Sequence, residues 1–173
     1  MVSRKNGFSL IELLIVVAII LIISAIAVPS LIRARVAANQ SSAAASLRTF
    51  DSAATTYANT YGDGYPGSLA VLAPAVPVSC NAAGLIDSVL ATGSKSGYNF
   101  TWQVGAQQLA VAATGCAAPG YSDMFSVMAS PTGFPTGTWF YCVDATGVIR
   151  ESTAAIAATP AGCPAGLSPI GQN

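Results

Sequence analysis

The sequence predicts an α+β protein: one long N-terminal helix, hydrophobic enough over its first half to cross a membrane, packs its second half against a small antiparallel β-sheet. Three observations carry this expectation. The apolar run from Phe8 to Val28 is broken by a single charge, Glu12. Apolar side chains then recur at helical spacing as far as Tyr61. Beyond Gly97, short runs rich in Val, Tyr, Phe and Trp are separated by Gly- and Pro-containing turns, the pattern of short strands.

The 173 residues suit one domain, and 53% hydrophobic against 8% charged residues exceeds the apolar share and falls below the charged share of ordinary soluble chains. Seven Lys plus Arg balance seven Asp plus Glu, which leaves no general field to attract nucleic acid. Arg33, Arg35 and Arg48 on the predicted helix read as a solvated or subunit-contacting face, so no specific nucleic acid is expected. The absence of histidine removes the commonest general base and the commonest metal ligand. Gly93-Ser-Lys-Ser-Gly97 lacks the spacing and setting of a phosphate loop. No acidic pair stands out, and no catalytic residue, metal or cofactor is expected. The protein reads as a non-enzyme.

About 21 residues from Phe8 to Val28, at roughly 1.5 Å each, span about 31 Å, which matches a hydrocarbon core of roughly 30 Å. About fifteen Phe, Leu, Ile and Val residues at roughly −0.3 to −0.6 kcal/mol each outweigh a penalty of about 3 kcal/mol for the carboxylate of Glu12. Arg4 and Lys5 precede the run, and positive charge there tends to stay cytoplasmic, which places the remainder outside. One alternative is a secretory signal with Ala25-Ile26-Ala27 as its cleavage site, releasing a soluble secreted domain after Ala27. Against it stand the length of the run and the position of Glu12. A permanent anchor leaves Glu12 unexplained.

Residues 29–61 continue as the amphipathic half of the same helix. Val36, Ala43, Leu47, Phe50, Ala54, Tyr57 and Tyr61 form one stripe that must be covered. Pro29 removes one helical hydrogen bond and crowds the preceding turn, marking a kink. Residues 62–97, rich in Gly, Pro, Ala and Ser, predict an irregular connector with a short helix within 83–90. Residues 98–173 predict the sheet head, with strands at 98–104, 109–113, 124–129, 138–144 and 148–152. Four or five strands are expected, with Asp144-Ala-Thr-Gly147 turning between the last two.

Cys80, Cys116, Cys142 and Cys163 all follow the apolar run and never form C-x-x-C, a pattern of disulfides in an oxidising compartment. Of three possible pairings, Cys142 with Cys163 and Cys80 with Cys116 is favoured, because the hairpin after Cys142 leads back toward Cys163. That bridge would staple the C-terminal tail.

Gly7-Phe8-Ser9-Leu10-Ile11-Glu12-Leu13-Leu14, followed by Ile15-Val16-Val17-Ala18-Ile19-Ile20, resembles the N-terminal signature of type IV pilins and pseudopilins. The likeness extends through Pro29 and Leu31-Ile32-Arg33-Ala34-Arg35. Weaker likenesses follow in GLIDSVLATGSKSGYNF and ATGVIR. The resemblance implies a class III signal peptide: a prepilin peptidase removes the leader, residues 1–7, by cutting between Gly7 and Phe8, and the new Phe8 amine is methylated. It further implies that Glu12 guides subunits into a filament. Leu21 stands where many members carry glycine, and it favours helix by nearly 1 kcal/mol over glycine, against unwinding there.

These residues predict a pilin held in the bacterial inner membrane, single-pass with its N-terminus cytoplasmic, and then polymerised with other pilin subunits by the pilus or secretion assembly machinery into a periplasmic or extracellular filament. A secretion pseudopilin or a minor pilin is the alternative. The absence of an aspartate-rich loop of the calcium-binding major pseudopilins favours a pilus subunit.

Overall fold

The structure, a computed structural model, describes residues 7–61, 64–105, 121–157 and 159–171. It divides into two compact units, one ending at Arg35 and one beginning at Val36, and helix α1, Leu10–Tyr61, contributes to both.

In the first unit, α1 begins two residues later than the apolar pattern suggests. Ser9 occupies the cap: its carbonyl accepts from the backbone N–H of Glu12 at 3.1 Å and of Leu13 at 3.3 Å. From Phe8 to Leu31 the large apolar side chains are exposed, from 46% for Val17 to 80% for Phe8. The helix is long and apolar enough to cross a membrane. Pro29 lies inside it.

In the second unit, α1 buries Ala43, Ser46, Leu47, Phe50, Ala53, Ala54 and Tyr57, the centre of the expected stripe. Val36 and Tyr61, at its ends, are half-buried. After the helix come β1 (Tyr65–Pro66), a 3-10 turn (Leu69–Leu72), α2 (Ser88–Ala91) and β2 (Ser94–Lys95). Asp87 starts α2 by accepting the Leu90 N–H at 2.8 Å, a side-chain cap for an otherwise unpaired helix donor.

The head strands are β3 (Tyr98–Val104), β4 (Tyr121–Ser122), β5 (Phe125–Pro131), β6 (Phe140–Asp144), β7 (Arg150–Ser152) and β8 (Ser168–Pro169). One antiparallel sheet has the order β2-β3-β5-β6-β7-β8, and β1 pairs separately with β4. The long pairing of β3 with β5 runs in register from Tyr98↔Pro131 to Val104↔Phe125. Six strands replace the expected four or five, because β2 and β8 are two-residue edges too short to carry a period-2 signal. The strand expected at 109–113 lies outside the described residues.

Every residue of β5 from Phe125 to Ala129 is buried. Alternation sends these side chains to opposite faces of the sheet. Phe125, Val127 and Ala129 join Leu47, Phe50 and Tyr57 in the main core, whereas Met128 packs with Cys142 and Ile156 beneath Leu167 of the C-terminal tail. The sheet therefore lies between helix and tail, an α+β, pilin-like arrangement.

Candidate functional site

The candidate assembly site begins at the N-terminus of α1. Gly7 is exposed, and a Cβ built on it meets nothing within 4 Å. A requirement for glycine there does not come from the fold. Phe8 follows, 80% exposed. Residues 1–6 lie outside those described.

Glu12 sits in the first turn of α1, and its Oε2 accepts the Ser9 backbone N–H at 2.9 Å. Ser9-Leu-Ile-Glu12 is thus a capping-box sequence, with the glutamate reaching back to the cap residue. The carboxylate also sits at the positive end of the helix dipole. From the sequence, Glu12 reads as a charge inside an apolar run with a role in filament assembly, and its local role in capping the helix went unread. The S-x-x-E spacing carried the missed signal.

The bridge between Cys142 and Cys163 is present, with Cα atoms 5.9 Å apart, and it ties β6 to the tail. Cys80 is buried. Its expected partner, Cys116, lies outside the described residues, and so does that pairing. Among the described residues no cluster of three or more His, Cys, Asp or Glu side chains could hold a metal.

A second polar centre went unread in the sequence. The Asp144 carboxylate, side chain 12% exposed, pairs through Oδ2 with Arg150 Nη1 at 3.0 Å and accepts the Cys163 backbone N–H at 3.0 Å. Its Oδ1 accepts the Thr146 amide and hydroxyl. Burial alone would raise its pKa. The Thr146 hydroxyl, the Cys163 and Thr146 amides and the Arg150 charge more than offset that, holding the carboxyl below its ordinary value. Across from it on α1, Asp51 reaches the same turn: its Oδ2 is 3.4 Å from where a Gly147 Cβ would stand. Burial, and then repulsion from Asp144, push its pKa up. Gly147 takes φ of +70°, and its N–H donates to the Asp144 carbonyl at 2.9 Å, closing the expected turn. This centre joins helix, hairpin and tail, and the D-x-T-G sequence announced only the turn.

What the described residues bring together here is an exposed apolar helix long enough to cross a membrane, with a glutamate in its first turn that caps the helix start. Residues 2–28 match the family described as the prokaryotic N-terminal methylation motif, which is the class III signal peptide of type IV pilins and pseudopilins. The motif supports a precursor of that type and points to a structural subunit. It also implies prepilin peptidase processing and pilin polymerisation, and the apolar helix is consistent with membrane anchoring. No curated protein and no solved structure matches the chain.

Proposed function

We propose that this protein is a pilin: a structural subunit that waits in the bacterial inner membrane, loses residues 1–7, and polymerises through α1 into a type IV pilus-like filament. The observation that carries this reading is the methylation motif over residues 2–28 on a helix whose apolar side chains stay exposed from Phe8 to Leu31. Such a surface needs lipid first and other helices afterwards.

Cleavage between Gly7 and Phe8 creates a cationic amine about one turn, roughly 6 Å, from Glu12. Near the headgroups both charges remain hydrated. Within a filament core an unpaired charge costs several kcal/mol, and the amine of an incoming subunit beside Glu12 of its neighbour relieves both. Apolar helices alone admit many near-equal registers, and one buried polar contact selects among them. Oε2 of Glu12 already bonds Ser9, so the incoming amine meets the other oxygen of a carboxylate held in place by its own helix. Methylation of Phe8 retains the charge. Pro29 withholds one hydrogen bond within α1, and that weak point is where the helix bends during assembly.

N-terminal sequencing of the mature chain tests the reading: a start at Phe8 supports it, whereas a start at Val28 shows a secreted domain. Microscopy of sheared surface fractions labelled against the chain then separates a filament subunit from a protein retained in the membrane.

A further inference from the structure

Among the described residues of the second unit, Phe134 is the one exposed aromatic side chain, 84% accessible. It stands on a loop that is tied down on both sides. The Thr132 backbone N–H and hydroxyl both donate to the Gly97 carbonyl, at 2.9 and 3.1 Å. Asn39 Nδ2 of α1 donates to the Thr136 carbonyl at 2.9 Å, and Gln40 Nε2 to the Thr138 hydroxyl at 3.0 Å. Gly137 packs so closely on the Tyr98 ring that an added Cβ would collide with its hydroxyl. A bare phenyl ring on an immobilised loop is preorganised for contact, since little conformational freedom is left to lose on docking.

Elsewhere on the same unit, Arg48, Thr49, Ser52, Ala53 and Thr56 of α1, with Leu85, line an open groove of about 330 Å³. The hydroxyls of Thr49 and Thr56 already donate to the carbonyls of Ala45 and Ser52, so these two side chains, with Ala53 and Leu85, offer methyl and methylene surface within a lining of mixed polarity. Among the described residues Arg48 has no carboxylate partner. Methyl groups beside an uncommitted guanidinium suit the edge and face of an aromatic ring, which gains from both burial and cation–π attraction.

We infer that Phe134 of one subunit seats in the groove between Arg48 and Leu85 of a second copy of this chain. The inference rests on the polymerisation reading and supplies a head-to-head contact for it. From Asn39, which holds the loop, to Arg48 is roughly 14 Å along the helix and about half a turn around it. The ring and the groove thus occupy different surfaces, and a subunit engaged at one still offers the other. Such a heterologous contact propagates into an open filament, whereas a self-complementary patch closes a dimer.

The test is Phe134→Cys combined with Ser52→Cys in the full chain, expressed as the sole subunit, with sheared filaments oxidised and run without reduction. A ladder of cross-linked subunits, absent from each single-cysteine variant, is the expected result. Phe134→Ala should retain leader removal and the Cys142 to Cys163 bridge yet lower filament yield by roughly tenfold or more, the loss expected for an aromatic anchor. Phe134→Trp should restore it. A ladder from Phe134→Cys alone would indicate ring-to-ring packing and overturn the inference. So would normal yield from Phe134→Ala with no ladder from the double variant, while the polymerisation reading stands. If the unaltered chain forms no filament, the polymerisation reading fails and this contact with it.

Discussion

Replacing Glu12 with glutamine separates two roles that leucine removes together. Glutamine keeps a side-chain oxygen able to accept the Ser9 N–H, now bonded at 2.9 Å, but it carries no charge. Losing the cap contact alone costs about 1 kcal/mol, roughly a fivefold effect on a helix end that is otherwise well formed. Losing a buried partner for the incoming amine costs roughly 3 to 5 kcal/mol, and about 3 kcal/mol already exceeds a hundredfold in association. Glu12→Gln and Glu12→Leu, each expressed as the sole subunit, should therefore both insert, both lose residues 1–7, and both yield filaments reduced about a hundredfold or more. Fractionation, N-terminal sequencing and quantification of sheared filaments give the three readings. Normal filament yield from Glu12→Gln with failure of Glu12→Leu would show that the cap, and not the charge, is what assembly needs, and would refute the amine-pairing argument.

Gly7→Leu should leave the head intact, because nothing surrounds that position, while a precursor seven residues longer accumulates on denaturing gels. Replacing Cys142 and Cys163 together by serine opens a loop of 21 residues and should lower head stability by about 3 kcal/mol, measured by denaturant unfolding against the oxidised chain. Asp144→Ala strands Arg150 and the Cys163 amide and should cost roughly 3 kcal/mol or more. The two aspartates should give opposite pH responses in thermal melts. The folded-state pKa of Asp51 is raised, so its ionisation opposes folding at neutral pH and that cost is relieved as pH falls through the raised value. The folded-state pKa of Asp144 is lowered, so its contribution is present above the ordinary carboxylate range and is lost as pH falls through the depressed value. Asp51→Asn should raise the neutral-pH Tm and abolish the gain on mild acidification; a neutral-pH Tm that falls in this variant would contradict the sign.

Wherever a long periodic signal existed, the sequence was legible. The helix ends at Tyr61 and β3 covers Tyr98–Val104, both as expected, because a stripe at 3.6 spacing and a compact β-branched and aromatic run each repeat enough to be read. Edges were not legible: Ser94–Lys95 and Ser168–Pro169 are strands only because β3 and β7 offer unpaired backbone beside them. The start of α1 at Leu10 was legible in principle through Ser9 and Glu12, and was masked by the apolar run around them. The Asp144 centre was legible only in part. Its turn is local, but the Cys163 amide is 19 residues away and Asp51 lies on another element.

The C-terminal tail gains a purpose from the two-sided burial of β5. A sheet with one covered face would alternate apolar and polar residues, yet Phe125 to Ala129 are buried without a break, and Ser126 is accommodated only by donating its hydroxyl to the Thr159 carbonyl at 2.9 Å. Something must cover Met128, and the segment that does so contributes a single two-residue strand, β8. Its hold comes instead from the Cys142 to Cys163 bridge, from the Cys163 amide on Asp144 and from Ile156 and Leu167 against Met128. A head stapled in this way depends on an oxidising surrounding. In the topology proposed above, Arg4 and Lys5 ahead of the apolar run keep the N-terminus in the cytoplasm, and every cysteine then lies on the far side of the membrane. Charge bias at one end of the chain and sulfur chemistry at the other thus argue independently for the same orientation, the one that the proposed assembly into a filament requires.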